Sequence, residues 1–288
     1  MVEGGRKVIT GEEIVCVQGI TGRYGSFHTK KMLEYGTRIV CGTSRNPRIK
    51  EVYGVPVYES MEICVKTRGV DTSIIFVPAP NAISAFMEAV DAGVRNIIVV
   101  TEHIPIHDTL TMYKMAKKRG VTMIGPNSPG IILPGKIKIG IMPVKYFKPG
   151  DVAIVSRSGT LMYEIANIIS NYRGISLAIG LGGDPIVGTN VGEAFDMITE
   201  LNVRKVVVVG EPGGQDEVVG IKNAMDRGYD GKIVTFFAGR YAPEGKRMGH
   251  AGAIAEGWKS KVKYKEEVLR NMGIPVARFV SEIPKLLE

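Results

Sequence analysis

Strand-length runs of β-branched and aliphatic residues recur along this chain, spaced so that one helix fits between most neighbours. EIVCVQ (13–18), RIVCG (38–42), TSIIFV (72–77), NIIVV (96–100) and VTMIG (121–125) form a first series. DVAIV (151–155), ISLAIG (175–180), KVVVVG (205–210), KIVTFF (232–237) and PVARFV (275–280) form a second. Helical segments are expected from Gly25 to Tyr35, ending at Gly36, and over AISAFMEAVDAG (82–93), with Gly93 as its cap. Another helix, capped by Asp108 or Thr109, should run through Lys118, and SEIPKLLE should close the chain as a short one. Strands alternating with helices imply parallel βαβ units with right-handed crossovers, an α/β doubly wound architecture.

The alternation breaks once, over GPNSPGIILPGKIKIGIMPVKYFKPG (125–150), which is rich in Pro and Gly and reads as a connecting segment. The same architecture thus appears twice without a sequence repeat, and 288 residues is too long for one ordinary core. Two domains are expected, residues 1–125 and 126–288. With 44% hydrophobic and 23% charged residues, the composition excludes a disordered chain. No run approaches the roughly 18 apolar residues of a membrane helix. The N-terminus MVEGGRKVITGEE lacks the apolar segment of a secretory signal. The 3 cysteines, Cys16, Cys41 and Cys64, form no C-x-x-C pair, which argues against a disulfide framework or cysteine zinc site and for a reducing, cytoplasmic setting. The formal charge of +8 suits an anionic partner. The basic residues are scattered, however, so a small anionic ligand is favoured over nucleic acid.

Four segments could carry chemistry. GITGRYG (19–25) follows the first strand and opens a helix, so its amides and the helix dipole favour a phosphate; otherwise the turn simply packs helix on strand. Its spacing is not that of the dinucleotide fingerprint, and no ribose-binding acid follows in CGTSRN (41–46). Arg45 and Arg48 nearby suit an extra phosphate. SRSGTLMYE (156–164) places Ser158, Gly159 and Thr160 at a second helix start, as an N-cap with open amides for an anion. A serine nucleophile competes there, but the G-x-S-x-G elbow is absent.

In GRYAPEGKRMGHAGAI (239–254), Gly239 lies too far from Gly245-Lys246 for a Walker A loop. His250, between Gly249 and Ala251, is either a hydrogen-bonded structural residue or an open nucleophile for phosphate. Glu211, in VGEPGG (209–214) at a strand end, is an ordinary loop acid or a carboxylate that orients an imidazole. His103 and His107 have the spacing of a metal pair, but Pro105 between them disfavours one helix carrying both, and no third ligand is evident. Thr101 and Glu102 are better placed to touch a ligand of the first glycine turn.

Taken in order, QGITGRYGSFH, FVPAP, VVTEHIP, IGPNSPG, IVSRSGTLMYE, GLGGDPIVG, GEPGG and GKRMGHAGAI resemble the α subunit of succinyl-CoA synthetase, the ADP- or GDP-forming succinate–CoA ligase. The resemblance covers nearly the whole chain. It implies a Rossmann-like coenzyme A-binding domain followed by a flavodoxin-like domain. His250 then falls on the phosphorylated histidine and Glu211 on the glutamate that steadies it. Ser158 and Gly159 match the phosphoryl-holding helix start, and Tyr163 the acid-substrate position. Coenzyme A contacts match Thr21, Gly22, Arg23 and Tyr24, with Gly25 closing the turn, and Val100, Thr101 and Glu102. The implied chemistry runs through an acyl phosphate that coenzyme A attacks, with phosphate passing through His250 to and from ATP or GTP. That nucleotide and its Mg2+ belong to an ATP-grasp β subunit, in an αβ or α2β2 complex.

One loop departs from the family. A P-G-K-G-G-like stretch is replaced by TSRNPRIK (43–50), with Pro47 in the place of the lysine, and Arg45, Arg48 and Lys50 are the candidates to supply its charge. Malate or citrate as the acid, a non-catalytic coenzyme A-binding regulator, and an NAD(P) oxidoreductase are the competing readings. The last gives no role to the GHAGA segment.

Overall fold

The computed structural model describes residues 9–46, 48–243, 245–254 and 257–288, which divide into two compact units. One holds the described residues through Ile132, with Lys136–Met142 and Ile186–Gly188; the other holds Leu133–Gly135, Pro143–Pro185 and Thr189–Glu288.

In the first unit, β1 (Val15–Gln18) leads into α1 (Arg23–Tyr35) and β2 (Ile39–Thr43). The short strands β3 (Glu51–Val52) and β4 (Val55–Tyr58) precede α2 (Met61–Arg68), β5 (Thr72–Ile75) and α3 (Ala79–Asp91). β6 (Asn96–Val99), α4 (Ile106–Arg119) and β7 (Thr122–Ile124) complete the series. The sheet order is β3-β4-β2-β1-β5-β6-β7, parallel except where β3 meets β4. β2 and β5 leave β1 on opposite sides, so the chain reverses direction across the sheet beside the end of β1. A crevice at such a reversal, outside the carboxyl ends of the strands, is where open α/β sheets bind ligands. All four residues of β1, β5 and β6 are buried, as strands covered by helices on both faces require.

Residues 125–150, expected only to connect, carry β8 (Gly130–Leu133) and β9 (Ile137–Gly140), side by side and fully buried. Gly130 and Gly140 mark why: each has positive φ, and a Cβ would meet the Ile139 oxygen at 2.1 Å from Gly130 and the Pro129 oxygen at 2.2 Å from Gly140. Apolar Ile131, Ile132, Ile137 and Ile139 then fill the core. α4 begins at Ile106 rather than at a cap on Asp108 or Thr109, because Pro105 sets the boundary and needs no amide there.

In the second unit, β10 (Pro149–Ser156), α5 (Gly159–Ser170) and β11 (Ile175–Gly180) precede α6 (Val191–Glu200) and β12 (Lys205–Gly210). α7 (Asp216–Asp226), β13 (Lys232–Phe237), α8 (Val262–Asn271), β14 (Val276–Ala277) and α9 (Ile283–Leu286) follow. Parallel pairing gives β11-β10-β12-β13-β14, with the reversal between β10 and β12. This is a flavodoxin-like order, so the fold class is Rossmann-like followed by flavodoxin-like. The last strand is shorter than the expected 275–280: the amides of Arg278 and Phe279 donate to a Glu282 carboxylate oxygen at 2.7 and 3.4 Å, drawing the chain out of the ladder. Among the described residues no helix is long and apolar enough to cross a membrane.

Candidate active site

At the end of β1 the chain turns through Gly19–Gly22, where the Gly22 amide donates to the Gly19 carbonyl at 3.0 Å. Gly22 caps α1 without a side-chain bond, so the helix opens on amides with no intrahelical partner. Gly25 sits so tightly that a Cβ would lie 2.2 Å from the Gly19 oxygen, and Gly42 would meet Ile20 at 2.6 Å. Glycine is needed here for close packing of helix on strand, which is what leaves the turn itself open.

A cavity of about 580 Å³ lies over these strand ends. Thr21, Gly22 and Arg45 line it, together with residues given no role in the sequence analysis: Ser44, Asn46, Phe76 and Asn81. Ser44 is the informative addition, since its hydroxyl shares a 2.7 Å hydrogen bond with that of Thr21 and ties the two loops together. Its only sequence signal was its place one residue past β2. Arg23 follows at the helix start, and Tyr24 is 71% exposed. Arg48 is not in the cavity wall; its amide donates to Asn46 Oδ1 at 3.1 Å. Lys50 is exposed, and Pro47 lies outside the described residues.

Val100, Thr101 and Glu102 are likewise not in that wall. The Val100 amide donates to the Ile75 carbonyl at 3.3 Å and the Thr101 hydroxyl to the Val77 carbonyl at 2.7 Å, which fixes the loop after β6 against the one after β5. Glu102 is exposed beside His103. His103 and His107 are not brought together at a shared site; each pairs with its own sequence neighbour, Glu102 and Asp108. The His28 ring stacks on Phe76 with centroids 5.7 Å apart. Burial, and then the charge of Lys138, lower its pKa to about 4, so it backs the cavity wall as a neutral ring.

In the second unit, Glu211 directly follows β12, and His250 sits in a tight loop held by Met248 and Ala253. Gly249 has φ +79° there, and a Cβ on Gly183 would stand 2.7 Å from the imidazole, so the ring rests on bare backbone. His250 Nδ1 lies 2.8 Å from Glu211 Oε2. The other carboxylate oxygen accepts from Arg157 Nε at 3.2 Å, and Arg157 Nη2 donates to the Asp184 carbonyl at 2.7 Å. Glu211 is 5% exposed and shared between a guanidinium and an imidazole. An ionised carboxylate only accepts, so Nδ1 carries the proton and a neutral ring holds its lone pair on Nε2. Hydrogen bonding to Glu211 raises the His250 pKa against the opposing effect of burial.

Sequence reasoning missed what holds Glu211 in place. Lys265, on α8 and fully buried, donates to Glu217 Oε2 at 2.6 Å, the Glu211 carbonyl at 2.8 Å and the Gly213 carbonyl at 2.7 Å. Three acceptors satisfy all three ammonium protons. Glu217 Oε1 in turn accepts from the Glu211 amide at 3.2 Å. The available signal was a charge on an apolar stripe: Lys265 shares the buried face of α8 with Val262 and Leu269.

Ser158 caps α5 by accepting from the Leu161 amide, but its own amide is taken by Ser156 Oγ at 3.1 Å. The expected open amides at Ser158 and Gly159 therefore shift one residue, to Gly159 and Thr160, which the helix leaves unpaired. Tyr163 stands edge-on to Phe147, and burial pushes its hydroxyl up to about 12, so the hydroxyl stays protonated.

The first unit is Rossmann-like with a cavity at its strand ends, and the second is flavodoxin-like and presents an imidazole with an oriented lone pair. The models for a CoA binding domain and for a CoA-ligase match residues 11–103 and 155–274. The succinate–CoA ligase [ADP-forming] subunit alpha 2 of Archaeoglobus fulgidus is 48% identical over 275 residues, 95% of each chain. The corresponding α subunit of Aquifex aeolicus is 41% identical over 282 residues, 95% of this chain and 92% of that one. The chain belongs to the succinate–CoA ligase α-subunit family. The ATP citrate lyase of Methanothrix soehngenii, solved with citrate and coenzyme A, has the same fold: TM-score 0.86 at 24% identity over 96% of this chain. This chain spans 49% of that longer one.

Proposed function

We propose that this chain works as the α subunit of a cytoplasmic succinate–CoA ligase, forming succinyl-CoA from succinate, coenzyme A and ATP or GTP. The observation that carries the reading is the 2.8 Å contact between His250 Nδ1 and Glu211, which leaves Nε2 as the nucleophile. His250 Nε2 attacks the terminal phosphorus of the nucleotide, and a nucleoside diphosphate leaves. Phosphoryl transfer from His250 to a succinate carboxylate oxygen then gives succinyl phosphate. The coenzyme A thiolate adds to that carbonyl, and inorganic phosphate departs. Glu211 keeps the imidazole in one tautomer, and Arg157 holds the Glu211 carboxylate in place.

The amides of Gly159 and Thr160 are the donors available to a phosphoryl group, and Tyr163 is the hydroxyl assigned to the acid. Coenzyme A is assigned to the first unit's cavity. The α1 amides and Arg45 suit the phosphates of its nucleotide end, and the cavity volume accommodates an adenine-sized group. Nucleotide and Mg2+ are assigned to an ATP-grasp β subunit. The test is co-expression with that partner and a coupled ligase assay across succinate, malate and citrate. The expected result is coenzyme A thioester formation that prefers succinate and requires both chains; preference for another acid, or no thioester at all, would overturn the assignment.

A further inference from the structure

All 3 cysteines of the chain meet at one point, although they lie far apart in sequence. Cys16 and Cys41 are register partners on the adjacent parallel strands β1 and β2. Cys64 comes from α2, whose buried residues are Met61 and Cys64. The three sulfur atoms lie within 4.8 Å of one another, and those of Cys16 and Cys64 are 3.7 Å apart. Each residue is 0% exposed, in an apolar core with Met61, Val70, Ile75 and Phe86.

We infer that this cluster is a binding site for one soft, three-coordinate monovalent metal ion, of which cuprous copper is the type. The argument is geometric. Three cysteine sulfurs at ~2.3 Å from a metal in one plane stand about 4 Å apart, close to the spacing found here. Thiolates select soft ions. Zinc prefers four tetrahedral ligands, and among the described residues no histidine, carboxylate or fourth cysteine joins the group. If cysteines served only as small apolar fillers, nothing would make all of them converge with their sulfurs facing one another.

On binding, two S–H bonds release their protons to bulk solvent as two thiolates bind the ion. The third sulfur completes the trigonal set as a neutral thiol, and no electron moves. That choice leaves a net charge of minus one in the core rather than minus two, the smaller burden for a buried site. Entry requires local opening of α2, an eight-residue helix that ends at Gly69.

The test uses the full-length chain, purified and kept reduced under nitrogen, titrated with cuprous ion held by a chromogenic chelator. Wild type is expected to withdraw one equivalent, to release two protons per ion in weak buffer, and to show a raised Tm. X-ray absorption at the copper edge should show sulfur neighbours alone. Cys64→Ala should withdraw none; should that variant fold poorly, the absorption and proton-release results on wild type decide the matter alone. No uptake, uptake unchanged in Cys64→Ala, nitrogen or oxygen neighbours, or a Cys16–Cys64 disulfide in place of the bound ion would each overturn the proposal.

Discussion

The cavity of the first unit and the histidine site of the second occupy the same kind of place, the end of strands where the sheet order reverses, yet they are made of different material. The first combines a glycine turn and unpaired helix amides with a wall of mostly neutral side chains, in which Arg45 stands with Glu59 and Glu88. The second is made of side chains whose charges fix one another, from Lys265 through Glu217 and the 211–213 loop, and from Arg157 through Glu211 to His250. A backbone-built site tolerates altered side chains but not an added Cβ. A charge-built site tolerates isosteric change but not the loss of one member, which leaves a buried partner uncompensated.

That contrast can be broken most severely at Lys265. Lys265→Met strands the buried Glu217 carboxylate and two carbonyls, so urea denaturation should show a loss of about 3–5 kcal/mol. A loss below about 1 kcal/mol would mean that the network does not hold the loop. In the first unit, Gly25→Ala forces a Cβ to within 2.2 Å of the Gly19 oxygen. It should cost about 1–3 kcal/mol and at least tenfold in coenzyme A affinity by calorimetry. Affinity kept despite that clash would deny the backbone its role.

Glu211→Gln keeps an acceptor for Nδ1 but removes the charge, and should slow His250 phosphorylation about ten- to a hundredfold. The sign of its pH effect follows from the raised pKa of His250. The stabilising ion pair is fully present below the ordinary histidine pKa and is lost as pH rises through the folded value. Phosphorylation needs the neutral ring, so its rate climbs over that same interval. In the Gln variant, NMR should show the imidazole titrating at lower pH, with the rate profile shifted the same way. The smallest effect belongs to Arg45→Ala combined with Arg48→Ala. Coenzyme A binding should weaken about fivefold or less per charge, more from Arg45 in the wall than from Arg48 outside it, with stability within about 0.5 kcal/mol of wild type.

Much of this was legible in the sequence, because buried parallel strands announce themselves as uninterrupted apolar runs and glycine turns mark their ends. The positions of Glu211 after one strand and Ser158 at a helix start follow from such runs. What was not legible depends on distance in the chain. Lys265 lies 54 residues from the carbonyl of Glu211 that it holds, and a single lysine on an amphipathic helix reads as solvated until its face is known. Arg157 was hidden inside a motif read for its serines. The pairing of β8 with β9 escaped because Pro and Gly around IIL and IKIG looked like linker chemistry, whereas those glycines let two backbones approach. The three cysteines were read by spacing along the chain, which says nothing about residues that a βαβ crossover stacks on one face.

The central claim is that His250 accepts and passes on a phosphoryl group through Nε2. The direct measurement is incorporation of γ-labelled phosphate from nucleotide into the αβ complex, mapped by mass spectrometry. The account predicts acid-labile, base-stable label on His250, discharged by succinate with coenzyme A, and none in His250→Asn, which still binds coenzyme A. Label on another residue, or full turnover by His250→Asn, would contradict it.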